Sequence, residues 1–235
     1  MRPLLLLPTY NEAATLAAVV DAVRKRAEVD LLVIDDASPD GTGAIAEGLG
    51  VRTIHRPAKK GLGSAYREGM AQALAEGRPA VLEMDADFSH DPQDIPRLLA
   101  ALEAGADLAL GTRTLPGGGM PGWPLWRQAV SRGGNLYARA LLGIPASDLT
   151  SGFRAYRGEA LRRADPTRTR SEGYVFQIEM AWRVWREGGR IDEVPIVFAD
   201  RRTGASKMDG RIVREAALGV PALALERIVG RRERR

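Results

Sequence analysis

Two aspartates that stand one residue apart, Asp85 and Asp87, are the residues of this sequence best suited to hold a divalent cation. They follow the apolar run Pro79 to Leu82. On an extended strand, residues two apart project to the same face, so the two carboxylates can converge on one ion. Mg²⁺ and Mn²⁺ prefer oxygen ligands and commonly take one or two carboxylates while substrate phosphates fill other positions. The pair therefore indicates diphosphate chemistry, with an ordinary turn at a strand end as the alternative.

The elements around this pair alternate between strands and helices. Short apolar runs predict five strands, at PLLLL, LLVID, VRTIH, PAVLEM and ADLALGTR. Apolar positions at helical spacing predict helices between them, at residues 11–27, 42–49, 64–76 and 91–105. A further strand, IDEVPIVFADR, is expected near the sheet edge because Pro195 has no N–H to donate. The pattern predicts an α/β fold with a mostly parallel, Rossmann-like sheet and helices on both faces.

Polar motifs directly follow four of the predicted strands. They are PTYNE at residues 8–12, DDASPDGT at 35–42, DADFSH at 85–90 and GTR at 111–113. Ligands of such sheets bind beyond the carboxyl ends of the strands. We therefore expect the four motifs to line one crevice, which favours a functional site over an isolated turn at the paired aspartates.

The second half of the chain offers basic groups for a phosphate. A glycine-rich stretch, residues 117–119, precedes a helix predicted from Leu125 to Leu142. On that helix Arg127 and Ser131 are four residues apart and share one face, which could cradle a phosphate or simply face solvent. The later RRTGASK loop, residues 201–207, combines positive charge with a flexible backbone, so it could close over a diphosphate.

Length and composition narrow the class of protein. The chain has 235 residues and no cysteine. The length suits one α/β domain with at most a short appendage. The lack of cysteine excludes disulfides, thiolate metal sites and a cysteine nucleophile. The first apolar run is too short for a signal peptide and no 18-residue apolar stretch occurs, so we expect a cytoplasmic protein, soluble or peripheral on the cytoplasmic face of the membrane.

Basic residues concentrate towards the carboxyl terminus. From Arg201 onward there are ten Lys or Arg against four Asp or Glu. Apolar positions between the arginines predict an amphipathic, basic helix and tail over residues 208–235. Two interpretations of this segment stay open: the helix packs on the domain, or it contacts anionic lipid. Nucleic-acid binding is not expected, because the basic residues lie among acidic motifs without interleaved aromatics.

Ten motifs occur in order along residues 8–207: PTYNE, DDASPDGT, KKGLGSAYREG, DADFSHDP, GTR, GGGMPGW, SDLTSGFRAYR, GYVFQIEM, EVPIVFADR and GASK. Together they resemble the family 2 glycosyltransferases of the GT-A fold and, within that family, the catalytic subunits of dolichol-phosphate mannose synthases. The resemblance implies a glycosyltransferase domain over residues 1–207, with a nucleotide-binding half at 1–115 and an acceptor half at 116–207.

The resemblance also implies roles for matching positions. Asp85 and Asp87 match the metal ligands, and Ser89 stands where some relatives have a glutamine that can ligate metal. Arg127 and Ser131 match the acceptor-phosphate face. The implied catalytic group comprises Asp87, Arg113, Arg127, Arg201 and Lys207. The positions implied to bind the nucleotide-sugar donor are Pro8, Tyr10, Glu12, Asp36, Asp85, Ala86, Asp87, Arg113, Arg201 and Lys207.

The activity implied by the resemblance is an inverting, Mg²⁺- or Mn²⁺-dependent transfer of mannose from GDP-mannose to a polyprenyl phosphate of the dolichyl type. The second pKa of a phosphate monoester is about 6, so the acceptor is already an anionic nucleophile at neutral pH. No general base is therefore expected. Contact with an anionic membrane and a membrane partner subunit stay open.

Other functions are left open by the residues. A related enzyme could move glucose or another sugar from a UDP donor to the same lipid. A second alternative is a nucleotide-sugar-binding subunit without turnover, although both aspartates are retained. A pyrophosphorylase or a dinucleotide oxidoreductase is disfavoured, because PTYNE follows the first strand where a glycine-rich loop would be required.

Overall fold

The computed structural model describes residues 1–199 and 218–225, and it has the predicted α/β architecture. Strands and helices alternate through most of this part. The strands are β1 Leu4–Thr9, β2 Asp30–Asp35, β3 Arg52–His55, β4 Ala80–Glu83, β5 Leu108–Thr112, β6 Arg154–Arg157 and β7 Ile191–Pro195. The helices are α1 Leu16–Arg26, α2 Thr42–Gly48, α3 Leu62–Ala75, α4 Ile95–Glu103, α5 Leu125–Leu142, α6 Gly158–Ala164, α7 Gly173–Arg186 and α8 at residues 218–225.

The seven strands form one sheet in the order β3-β2-β1-β4-β6-β5-β7. Neighbouring strands are parallel except where β6 pairs with β4 and β5, to both of which it is antiparallel. The mostly parallel sheet and the edge position of β7 were predicted from the sequence, and both are confirmed. β6 was not predicted. Its residues, RAYR, are mostly polar in type, yet three of the four are buried in the middle of the sheet.

Helices cover both faces of the sheet and give the domain two hydrophobic layers. In β1 four consecutive leucines are fully buried: Leu4 and Leu6 belong to one layer, and Leu5 and Leu7 belong to the other. Alternate strand residues point to opposite faces, so an unbroken apolar run is what a strand covered on both sides requires.

The loops that follow β1, β2 and β4 contain backbone in a sparsely populated conformation. Asn11, Ala37 and Phe88 are non-glycine residues with φ of 60°, 58° and 61°, respectively. Such positions cost free energy and tend to cluster at functional sites. The conformation of Asn11 also corrects one prediction. Helix α1 begins at Leu16 and not at residue 11, because the chain first turns through Asn11.

Part of the predicted carboxyl-terminal helix is present as α8. Its Val220 and Leu223 are buried in the same hydrophobic layer as Phe176 of α7, whereas Leu218 and Leu225 are exposed. The described turns of this helix therefore pack on the domain. The rest of the segment 208–235, together with Arg201 and Lys207, lies outside the described residues. Among the described helices, none combines the length and hydropathy that a membrane span needs.

Candidate active site

A cleft of about 420 Å³ lies beyond the carboxyl ends of β1, β2, β4 and β5. The four polar motifs predicted to meet there do meet there. Two predicted site residues in the described part of the chain, Ser89 and Ser131, are not among its lining residues. The predicted residues that line it are Pro8, Tyr10, Glu12, Asp36, Asp85, Ala86, Asp87, Arg113 and Arg127.

One side of the cleft is organised by Asp36, which follows β2. Its carboxylate accepts hydrogen bonds from the backbone N–H groups of Lys60 and Gly61, at 2.9 and 3.0 Å, and forms an ion pair with Arg56 at 2.9 Å. The loop before α3 is thereby fixed beside the cleft. The preceding residue, Lys59, places Nζ 3.5 Å above the centre of the Tyr10 ring. Asp36 thus acts here as an anchor for a basic loop.

The paired aspartates occupy a tight, internally bonded loop after β4. The positive φ of Phe88 turns the chain so that Asp87 Oδ1 accepts a hydrogen bond from the Ser89 N–H at 2.9 Å. His90 Nδ1 accepts a hydrogen bond from the Asp85 N–H at 3.2 Å, and its ring stacks on Phe153. These bonds fix the loop that carries the two aspartates, and both aspartates line the cleft.

The donor set of this loop suits a metal that is shared with a substrate. Within residues 1–199 and 218–225, no group of three or more His, Cys, Asp or Glu side chains could hold a metal ion. Two hard carboxylates remain, and Mg²⁺ or Mn²⁺ commonly binds to such a pair when diphosphate oxygens complete its coordination. Asp85 and Asp87 therefore fit the predicted metal. The side chain of Ser89 is buried away from the cleft lining, so its ligand role stays a prediction.

Arg113, at the end of β5, is held by a carboxylate to which the sequence assigned no role. Its Nε and Nη2 each donate a hydrogen bond of 2.7 Å to Asp148, one to each carboxylate oxygen. Burial alone would raise the pKa of Asp148 through desolvation, but the charge and hydrogen bonds of Arg113 outweigh it and the pKa is lowered. The pair is therefore charged, and it is 5% exposed on the arginine side and fully buried on the aspartate side.

Arg127, in the first turn of α5, lies near the same aromatic ring as Arg113. The guanidinium carbon of Arg127 lies 3.6 Å from the centre of the Trp123 ring, and that of Arg113 lies 5.5 Å from the same centre. A cation over an aromatic face is attracted by the ring quadrupole. Ser131 lies one turn further along α5 and is half-buried outside the cleft lining. The structure thus brings one member of the predicted acceptor pair into the cleft and leaves the other beside it.

Beneath the paired aspartates lies a buried acid, Glu83, the last residue of β4. It is opposite Arg154 in the register of β4 and β6. Desolvation raises the pKa of Glu83 to about 7, while Arg154, Gln177 and Tyr156 act in the opposite direction with smaller effect. The burial of this acid was not predicted, because the strand β6 that pairs with β4 beside it was not predicted.

The raised pKa of Glu83 makes folding stability depend on pH. Between the ordinary pKa of 4.5 and about 7, the folded protein holds a proton that the unfolded chain has lost, so stability falls as pH rises. The loss is about 3 kcal/mol when complete. We expect Glu83→Gln to remove this dependence of stability on pH. Between pH 5 and pH 8 the free energy of unfolding of the variant, measured with urea, is expected to rise relative to that of the parent protein. If the free energies of unfolding of the parent protein and Glu83→Gln change with pH in parallel, the prediction is wrong. Glu103→Gln, at an exposed position in α4, is the control.

Several residues that line the cleft were not predicted as site residues. All of them lie inside the ten motifs that carry the family resemblance, so membership of a motif was the available signal, although four of the six named below stand in motifs where no site residue was predicted. The unpredicted lining residues include Lys59, His90, Thr150, Tyr174, Gln177 and Phe198.

The seven-stranded, mostly parallel sheet with a polar cleft beyond its strand ends is the GT-A architecture of glycosyltransferases. The model of the family described as Glycosyl transferase family 2 matches residues 5–164, and the chain belongs to that family. The protein is therefore a glycosyltransferase.

Two relatives resemble the chain over most of its length. The chain is 46% identical over 226 residues to the polyprenol monophosphomannose synthase of Mycolicibacterium smegmatis, covering 93% of this chain and 85% of that protein. It is 47% identical over 226 residues to the undecaprenyl-phosphate mannosyltransferase of Micrococcus luteus, covering 94% and 93%.

Among solved structures, the fold is similar to that of glucosyl-3-phosphoglycerate synthase from Mycobacterium tuberculosis in complex with Mn²⁺, UDP-glucose and phosphoglyceric acid. The TM-score is 0.72 at 22% identity, over 95% of this chain and 79% of that one. At this identity the likeness establishes the fold.

Proposed function

We propose that the protein transfers mannose from GDP-mannose to a polyprenyl phosphate, with inversion at the anomeric carbon and with Mg²⁺ or Mn²⁺ bound. The observation that carries the proposal is the arrangement of charge in the cleft. Two carboxylates suited to a metal-bound diphosphate share it with two arginines that both lie near the ring of Trp123. The sugar and the lipid acceptor are supported by the names of the two relatives, which describe mannose transfer to polyprenol and undecaprenyl phosphate.

The chemistry requires that two anions be held at one sugar. Asp85 and Asp87 would hold the metal, which supplies positive charge to the departing diphosphate. Arg113 would contribute to the same task, because stabilising charge that grows in the transition state accelerates the reaction. Arg127 would orient the acceptor phosphate. Arg201 and Lys207, which lie outside the described residues, are proposed to add further positive charge.

No general base is part of the proposal. The acceptor phosphate is already ionised near neutral pH, so it needs orientation and relief from repulsion by the diphosphate. An arginine suits this better than a carboxylate, because its planar fork matches phosphate oxygens. Arg127 is the described arginine that we propose for that task.

A donor panel tests the proposed reaction. The full chain is incubated with a short polyprenyl phosphate and GDP-mannose, UDP-glucose or UDP-mannose, with Mg²⁺, Mn²⁺ or a chelator. We expect glycolipid from GDP-mannose and metal, and little product with chelator. Product from a UDP-sugar alone would replace the proposed donor with the UDP alternative. Donor binding without transfer or hydrolysis under all conditions would favour the non-catalytic subunit.

We also propose that the enzyme is peripheral on the cytoplasmic face of a membrane and that α5 makes the contact. Six large apolar side chains of this helix are between 37% and 83% exposed. Trp126, Val130, Tyr137 and Leu141 fall on one face by helical spacing. These exposed residues, named the α5 apolar face, are Leu125, Trp126, Val130, Leu136, Tyr137 and Leu141.

An anionic lipid bilayer is the partner that fits the α5 apolar face. Arg132 and Arg139 are exposed along one flank, and Arg127 stands on the other flank, where it lines the cleft. Apolar side chains bordered by arginines are typical of a helix that lies in the interface of an anionic membrane. A lipid phosphate held at that surface would be close to Arg127. The described part of α8 is a weaker candidate, because Val220 and Leu223 face the domain core.

A further inference from the structure

We infer that Asp148 is a positioning residue for the transfer reaction. It aligns Arg113 with helix α5 and so sets the placement of Arg113 relative to Arg127, the two arginines that line the cleft. The inference rests on the proposed function, since it concerns the placement of groups around the donor diphosphate and the acceptor phosphate. Asp148 lies in the loop between α5 and β6 and is fully buried.

Asp148 fixes the orientation of Arg113 completely. Besides the two bonds from the guanidinium, its Oδ2 accepts the backbone N–H of Arg113 at 3.0 Å. Thr150 Oγ1 accepts another bond from Nη2 at 2.8 Å. These partners use Nε and both hydrogens of Nη2, and within the described residues Nη1 makes no hydrogen bond. Because Arg113 lines the cleft, Nη1 is the nitrogen left to meet a phosphate.

The same carboxylate is also bonded to helix α5. Asn135 Nδ2 donates to Asp148 Oδ1 at 3.2 Å, and Asn135 Oδ1 accepts the N–H of Leu149 at 2.7 Å. Asn135 is 2% exposed and lies about two turns beyond Arg127 on the same helix. Asp148 therefore joins the end of β5, which carries Arg113, to the helix that carries Arg127.

This connection matters because the separation of the two arginines must match the reaction. The leaving diphosphate and the incoming phosphate lie on opposite sides of the anomeric carbon during inversion. A displacement of about 1 Å in such a geometry can reduce the rate about 100-fold. Direct proton transfer by Asp148 does not fit its surroundings. Both of its oxygens already accept hydrogen bonds, and Asp148 is not among the lining residues of the cleft.

A double-mutant cycle with Arg113 tests the inference. Asp148→Asn and Arg113→Gln are each expected to lower kcat by about 30- to 100-fold, because each removes the fixed guanidinium from its place. The double variant is expected to match Arg113→Gln within about twofold, since Asp148 acts through Arg113. Transfer is measured with a short polyprenyl phosphate, and the donor Kd is measured separately. Asp192→Asn, beside Arg190 at the start of β7, is the matched control and is expected to transfer like the parent protein.

The outcomes separate this inference from the proposed function. If the parent protein transfers no sugar, the proposed function fails. If the parent protein is active and Asp148→Asn equals it, or if the double variant is slower than Arg113→Gln by a further tenfold or more, the positioning role is overturned. Should Asp148→Asn fail to fold, Thr150→Val provides the test. It removes the hydroxyl that bonds to Arg113 Nη2, to Asp148 and to Asn135, and it keeps the carboxylate of Asp148. We expect kcat to fall severalfold while the melting temperature stays close to that of the parent protein. Parental kcat in Thr150→Val would then overturn the positioning role.

Discussion

Asp87→Asn is expected to lower the rate of sugar transfer by about 100- to 1,000-fold, which corresponds to roughly 3–4 kcal/mol of lost transition-state stabilisation. The substitution keeps an oxygen that can accept the hydrogen bond from the Ser89 N–H, so the loop retains its turn. It removes the negative charge that would hold a divalent ion against the diphosphate. Initial rates over a range of Mn²⁺ and Mg²⁺ concentrations measure the effect, and the metal concentration for half-maximal rate is expected to rise.

Asp91→Asn is the matched control for this variant. Asp91 belongs to the same loop, but it is exposed and accepts a hydrogen bond from the N–H of Gln93 at the start of a short helix. Asparagine caps helices about as well as aspartate. We therefore expect parental activity from the control. Parental transfer by Asp87→Asn at low metal concentration would show that this carboxylate does not hold the ion, and the proposed metal site would have to be abandoned.

The strands that carry the four polar motifs were predictable because their residues are almost all apolar, which indicates burial. Continuous apolar runs such as LLLL and LLVI, separated by amphipathic helices, predict buried strands of an α/β sheet. Strand β6 lacked such a signal. Arg154 and Arg157 read as surface residues, but the buried Arg154 guanidinium donates to the backbone carbonyls of Ser151, Leu149 and Gln177. Those bonds depend on chain segments that only the tertiary structure brings together.

The omission of β6 explains why no role could be assigned to Asp148 and Thr150 from the sequence. Because β6 runs antiparallel, its first residue, Arg154, lies beside Glu83 at the carboxyl end of β4. The loop that leads into β6 therefore enters the cleft, although it precedes a strand. Asp148 and Thr150 reach Arg113 in this way. The rule that ligands lie beyond the carboxyl ends of parallel strands predicted the four motifs, but it assigns nothing to the loop before an antiparallel strand.

Replacement of Leu125 and Trp126 by serine in one variant is expected to reduce partition onto anionic liposomes by at least about 100-fold. The two side chains are 83% and 61% exposed, and burial of a large apolar side chain contributes roughly 1.5–3 kcal/mol. Flotation with vesicles that contain anionic lipid measures the loss. Transfer to a short, dispersed polyprenyl phosphate is expected to remain within about twofold of the parent rate. Transfer to a long polyprenyl phosphate embedded in vesicles is expected to fall with membrane binding.

The corresponding control replaces Leu218 and Leu225 by serine. Both are exposed leucines on α8, so this variant removes similar apolar surface from a different helix. Truncation after Lys207 extends the comparison to the whole basic tail. If α5 holds the membrane, the α8 variant floats like the parent protein and the α5 variant stays with the unbound fraction. Equal recovery of parent and α5 variant would exclude the α5 apolar face, and loss of binding only on truncation would assign the contact to the tail. A salt series separates the electrostatic part of membrane binding from the apolar part. The attraction of Arg132 and Arg139 to anionic headgroups weakens as ionic strength rises, whereas the stabilisation from burying Leu125 and Trp126 in the lipid does not weaken.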